Sequence, residues 1–239
     1  MDRIKLFCIP YAGGSATAYR EWKKHIHPSI ELCPIELAGR DSRFGGSFYE
    51  DVTEAVDDIY NIISKDLDGP YAIFGHSMGS VLAYELAHKI KSFNHTAPIH
   101  LFFSGRRPPH IERDNKDIHL LSDKEFMDEI MELGGTPKEL LENKELLELF
   151  MPMLRADFKI VETYEYVEKN EVLDCNITVL WGKKEEGTTI GEIVQWRRHT
   201  DKSCKIHMFN GGHFFVAEFL QDIVHIINSN LQRVNGKLL

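Results

Sequence analysis

The sequence predicts an α/β fold, a mostly parallel β-sheet with helices packed on both faces. Short apolar runs alternate with longer amphipathic stretches along its 239 residues, and a single strand-free helical stretch breaks the alternation late in the chain. Strands buried on both faces and separated by helices form βαβ units, and right-handed crossovers fix their winding. The length suits one domain with a sizeable core, here residues 1–239, carrying a helical insertion at about 117–168.

Taken in order, strands are expected at Ile4–Pro10, Glu31–Glu36, Tyr71–Gly75, Ile99–Ser104, Ile177–Trp181 and Lys205–Phe209. Helices are expected between them, at 16–27, 50–66, 78–91, 189–199 and 214–232. The insertion follows the fourth strand. It carries helical patterning at Asp123–Leu133 and Asn143–Glu168, punctuated by Gly134-Gly135-Thr136-Pro137 and interrupted by Pro152. Lying above the carboxyl ends of the strands, it is expected to cover a site as a lid.

Composition excludes several classes of function. The formal net charge is −9, and no Lys/Arg cluster offers the basic face that phosphate neutralisation needs, so no nucleic-acid partner is expected. No apolar run approaches the roughly 18–20 residues that cross a membrane. The first residues run straight into a strand without a signal-peptide pattern, which suggests a cytoplasmic protein. Cys8, Cys33, Cys175 and Cys204 are scattered and read as reduced core residues. The 12 histidines show no metal-ligand spacing, so no metal is expected.

The chemistry centres on Gly75-His76-Ser77-Met78-Gly79, a G-x-S-x-G sequence between an apolar strand and a helix. A serine at so sharp a turn is held with its hydroxyl exposed, and flanking side chains would collide with the neighbouring strand and helix. The helix that follows points backbone N–H groups at developing negative charge. This is the setting of a nucleophile in the α/β-hydrolase fold. The base of such a site comes late in the chain, and Asn210-Gly211-Gly212-His213 follows the last strand, which makes His213 the base. His76, beside the nucleophile, should point away from the site and act structurally.

The orienting acid is expected after the strand Ile177–Trp181, where the loop reads Gly182-Lys183-Lys184-Glu185-Glu186-Gly187. It holds no aspartate, and spacing leaves Glu185 and Glu186 as equal candidates. The oxyanion hole is assigned to the backbone N–H groups of Met78 and of Ala12, the latter in the small-residue loop Pro10-Tyr11-Ala12-Gly13-Gly14-Ser15. That loop lacks the G-x-G-x-x-G spacing of a dinucleotide site.

These residues resemble the stand-alone (type II) thioesterases that accompany nonribosomal peptide and polyketide synthetases. The resemblance runs through Leu6–Ser15, Pro34-Ile35-Glu36-Leu37-Ala38-Gly39-Arg40 and Phe74–Gly79. It continues in Ser104-Gly105-Arg106-Arg107-Pro108-Pro109-His110, Leu133–Pro137, Leu154-Arg155-Ala156-Asp157-Phe158 and Gly211–Phe215. It implies hydrolysis of misloaded or stalled acyl or aminoacyl groups from the 4′-phosphopantetheine arm of carrier-protein domains. No cofactor is implied, and the chain itself is expected to be a monomer. The family usually places Asp where this chain has Lys-Lys-Glu-Glu. Arg106, Arg107 and Arg155 are expected near the entrance, where structural ion pairing is the leading reading and docking of an acidic carrier the alternative. A general carboxylesterase and a non-catalytic synthetase-binding partner remain as alternatives.

Overall fold

Six strands form one parallel sheet in the order β2-β1-β3-β4-β5-β6. This computed structural model describes residues 3–112, 117–134 and 144–235. The strands are β1 (Ile4–Ile9), β2 (Ile30–Pro34), β3 (Tyr71–His76), β4 (His100–Ser104), β5 (Asn176–Gly182) and β6 (Cys204–Phe209). The α-helices among the described residues are α1 (Val52–Ile63), α2 (Met78–Ser92), α3 (Asp123–Leu133), α4 (Lys144–Glu162), α5 (Ile190–Ile193), α6 (Phe215–Glu218) and α7 (Leu220–Asn235). The architecture is that of the α/β-hydrolase fold, as the sequence predicts.

Side chains alternate across the sheet, so each strand feeds two cores. Phe7, Ile9 and Ile73 face a core shared with α1 and α2 through Ala55, Ile59, Leu82 and Leu86. Leu6, Cys8, Ala72 and Phe74 face the other, closed by Trp22 and by Ile223 and Ile227 of α7. Because both faces are covered, these strands read as continuous apolar runs.

Several boundaries differ from expectation. The second strand ends at Pro34, which has no N–H for the ladder. Residues 16–27 form a 3-10 helix, Ala16–Lys24, and 189–199 a single α-helical turn followed by 3-10 turns over Val194–His199. The last expected helix breaks at Phe219 into α6 and α7. α4 runs through Pro152 instead of stopping there, held by the burial of Met153, Leu154, Asp157 and Ile160. Cys33 and Cys204, on the two outermost strands, are half-buried, unlike Cys8 and Cys175. Burial nonetheless pushes the thiols of Cys33 and Cys204 up to about 11, which keeps them protonated and unreactive.

Among the described residues between β4 and β5, Ile118, Phe126, Met127, Ile130 and Leu154 pack together into a small core of their own. α3 opens on a capping box in which Ser122 and Glu125 satisfy each other's backbone amides. Gly135-Thr136-Pro137, part of the resemblance, lies outside the described residues. β1 connects outward to β2, whereas β3 leads to β4 on the opposite side. The loops leaving β1 and β3 therefore diverge and open a crevice at the carboxyl ends of the strands.

Candidate active site

Ser77 sits at the end of β3 with φ 54° and ψ −113°, in the left-handed half of backbone space that a side-chain-bearing residue rarely occupies. The turn fits because the residues two positions before and after it, Gly75 and Gly79, are glycines. A Cβ on Gly75 would strike the Gly79 backbone, and one on Gly79 would strike the Ile9 and Pro10 carbonyls. Ser80, which sequence reasoning passed over, anchors the turn. Its hydroxyl donates to the Gly75 or Ser104 carbonyl at 2.8 and 2.9 Å and accepts from the Ser104 amide at 3.0 Å. The Ser77 amide also donates to the Ser104 carbonyl, at 2.8 Å, tying the turn to β4.

His213 follows β6 and brings Nε2 to 2.9 Å from Ser77 Oγ, which donates to it. Its other nitrogen, Nδ1, donates to Glu185 Oε1 at 2.7 Å. The imidazole and the carboxylate are 19% and 11% exposed, open enough for substrate and dry enough for the ion pair formed in catalysis to count. The two partners fix the tautomer, with the proton on Nδ1 and the lone pair aimed at the serine. Glu186 is exposed and absent from this chain of hydrogen bonds, so of the two glutamates the structure brings Glu185 to the histidine.

The loop after β5 reaches the histidine because other elements hold it there. The Lys183 amide donates to Phe209 O at 2.8 Å and the Lys184 amide to Gly211 O at 2.9 Å, which stitches the acid loop to the histidine loop. Gly182 is bare where a Cβ would strike Gly211 and Gly212 carbonyls. From the loop after β4, Arg107 donates to the Gly187 carbonyl and pairs with Glu192 at 3.1 Å. Arg155 pairs with Asp123 at 2.7 Å, donates to His119 O and lies over the Phe126 ring. The structure thus spends both arginines internally, as the ion-pairing reading expects. Arg106 is half-buried, and its carbonyl accepts from the Trp196 indole at 3.0 Å.

His76 is fully buried and turned from the nucleophile, with Nδ1 at 2.9 Å from Ser104 Oγ. Burial, and then the nearby His213, hold its pKa well below the ordinary imidazole value, so it stays neutral. The two assigned oxyanion donors follow β1 and β3, which are neighbours in the sheet. Met78 is the first residue of α2, where amides lack intrahelical acceptors. Ala12 lies inside a turn closed by the Gly14 amide on Tyr11 O at 2.8 Å, with Gly13 at φ 78°. A serine, an imidazole and a carboxylate in series beside two such amides can carry acyl transfer through a covalent serine ester.

Comparison with known proteins agrees with that chemistry. Residues 4–231 match the thioesterase domain family. A Brevibacillus parabrevis relative named linear gramicidin dehydrogenase LgrE is 40% identical over 232 residues, covering 96% of this chain and 88% of its own. Its name is that of an oxidoreductase, yet the β1 loop of the present chain has no dinucleotide spacing, and its Tyr11 packs against His76 and Phe214, next to the serine and the histidine. The crystal structure of ClbQ, from the colibactin NRPS/PKS pathway, superposes with a TM-score of 0.94 at 36% identity, covering 98% of this chain and 99% of its own. BorB, described as the type II thioesterase of the borrelidin biosynthetic cluster, gives 0.88 at 33% identity, over 96% and 93%.

Proposed function

Because this chain belongs to the thioesterase family and is a serine thioester hydrolase, we propose that Ser77, His213 and Glu185 are its catalytic triad. The observation that carries the assignment is the unbroken series Ser77 Oγ, His213 Nε2, His213 Nδ1, Glu185 Oε1, with steps of 2.9 and 2.7 Å. Three strands deliver its members to one crevice.

In this reading His213 takes the Ser77 proton as Oγ attacks the thioester carbonyl. The amides of Ala12 and Met78 hold the oxyanion, and Glu185 stabilises the imidazolium. The C–S bond breaks, the imidazolium of His213 gives its proton to the departing sulfur, the thiol leaves, and an acyl ester remains on Ser77. Water, deprotonated by His213, attacks that ester, releases the carboxylic acid and restores the serine. The acid, base and nucleophile are all supplied by side chains, and none of these steps calls on a metal or an organic cofactor.

The substrate follows from the company the family keeps. We infer that the enzyme removes misloaded or stalled acyl and aminoacyl groups from the 4′-phosphopantetheine arm of carrier-protein domains, in a nonribosomal peptide or polyketide synthetase. ClbQ, from the colibactin NRPS/PKS pathway, and BorB, a type II thioesterase of a biosynthetic cluster, support this. The carrier domain is the partner, met by the enzyme as a cytoplasmic monomer. The helical insertion at 117–168 would act as the lid of a single domain. No helix among the described residues is long and apolar enough to cross a membrane.

The test is acyl release from an acyl-phosphopantetheinyl carrier protein, beside a free acyl thioester and an aryl ester, by wild type and Ser77→Ala. Preference for the carrier-bound substrate, lost in Ser77→Ala, is expected. Equal or better turnover of the free ester would make the enzyme a general esterase.

A further inference from the structure

Two of the stretches on which the resemblance rests, Gly39-Arg40 and Arg155-Ala156-Asp157, take no part in the triad. They meet in the interior. Arg40, from the loop after β2, and Asp157, on α4, form a two-pronged ion pair with both contacts at 2.7 Å. Both side chains are only 3% exposed. The pair does not stop at itself. Asp157 Oδ2 accepts the amide of Gly13 at 2.7 Å, and Arg40 Nη1 donates to the carbonyl of Gly14 at 2.9 Å.

Two successive residues of the β1 loop are therefore gripped, one by its amide and the next by its carbonyl. They directly follow Ala12, the assigned oxyanion donor. The grip extends to packing. Leu154 lies one turn before Asp157, on the same face of α4, and its methyl fills the space where a Cβ on Gly13 would stand. Arg40 is itself restrained, because Gly39 takes φ 78° against the Phe48 ring. Next to it, the Ala38 amide donates to Tyr49 Oη at 2.9 Å.

We propose that Arg40 and Asp157 are positioning residues that fix the oxyanion loop. On this account α4, beyond covering the site, holds Ala12 N–H where the tetrahedral oxyanion forms. The energetics favour such a role over simple stabilisation. A buried ion pair gains little over well-packed apolar groups, because desolvation offsets most of its Coulomb energy. Its fork geometry, in contrast, fixes position in a way that apolar packing does not. Donors help catalysis only when pre-set near the oxyanion, and losing one outright costs about 10²- to 10³-fold in kcat. Loosening one should cost less.

The inference rests on the proposed triad, and the experiment separates the two. Wild type, Ser77→Ala, the double variant Arg40→Met/Asp157→Leu and Arg40→Lys are compared on a free acyl thioester. Urea unfolding and the affinity of a boronic acid, which forms a tetrahedral adduct on the serine, are measured alongside. A wild type that turns over as fast as Ser77→Ala, and that binds the boronate no better, would sink the triad itself. With the triad intact, the double variant should stay folded, with a urea midpoint lowered by the unpaired Gly13 amide and Gly14 carbonyl, lose about 10- to 100-fold in kcat and keep KM within about two-fold. Its boronate affinity should fall in parallel. Arg40→Lys keeps the charge but loses the fork, and should show the same pattern several-fold weaker; it decides the matter if the double variant does not fold. Wild-type kcat and boronate affinity in a folded variant would overturn the proposal, as would a rise in KM alone.

Discussion

Glu185 Oε1 accepts the Nδ1 proton of His213 at 2.7 Å, while the adjacent Glu186 stays exposed and outside the chain of hydrogen bonds. Adjacent side chains on a tight loop diverge, so only one of two neighbouring glutamates can meet the ring. Glu185→Ala should lower kcat by about 10⁴-fold, the scale for losing a triad acid. Glu186→Ala should stay near wild type. Steady-state kinetics on a free acyl thioester will check this, and a larger loss in Glu186→Ala would reverse the assignment.

Gly75 leaves no room for a methyl group, because its Cβ would enter the Gly79 backbone. Overpacking against main chain cannot be relieved by a rotamer change. Gly75→Ala should destabilise the fold by about 1–3 kcal/mol and reduce labelling of Ser77 by a fluorophosphonate. Gly69, with nothing within 4 Å of its Cβ position, provides the control. Gly69→Ala should change stability by no more than about 0.5 kcal/mol. Equal urea midpoints for the two variants would contradict the steric account.

Arg107 joins the β4 loop to the acid loop through Gly187 O and Glu192. Arg107→Gln should therefore lower kcat several-fold by loosening Glu185, with KM for a carrier-bound substrate little changed. Arg155 is likewise engaged, by Asp123 and His119 O, so Arg155→Gln should leave that KM alone. If either variant raised KM and spared kcat, its guanidinium would belong to carrier docking after all.

His100 and His199 are buried, and burial holds their imidazoles down to about 3 and about 4, below the ordinary value of about 6.5. The unfolded chain then binds protons that the folded chain refuses. Their contribution is fully present above about pH 6.5 and is lost as pH falls toward the folded values, on the order of 1 kcal/mol per pH unit for each. His100→Gln should flatten this acid limb in urea unfolding between pH 7 and pH 5. A variant slope identical to wild type would show that His100 is not among its causes.

The fold was legible because its signals are local. Short apolar runs, separated by amphipathic stretches, appear in the structure as strands within one or two residues of expectation. Helix type was harder to read. Apolar spacing does not separate a 3-10 turn from an α turn over short stretches, which is why Ala16–Lys24 and Val194–His199 were unforeseen. Pro152 misled for a related reason: burial of one helix face outweighed the lost hydrogen bond.

By itself the sequence determined that Ser77 and His213 would meet, since glycine-flanked turns after particular strands of a parallel sheet all lie at one edge. It also fixed the family, because the motifs are contiguous and survive without coordinates. Three things waited on tertiary structure: which glutamate reaches His213, what occupies the arginines, and how Arg40 and Asp157, 117 residues apart, grip the β1 loop. Each depends on side-chain direction across segments that are remote in sequence. Spacing along a chain encodes the face of one element, but not where that face arrives once the elements pack.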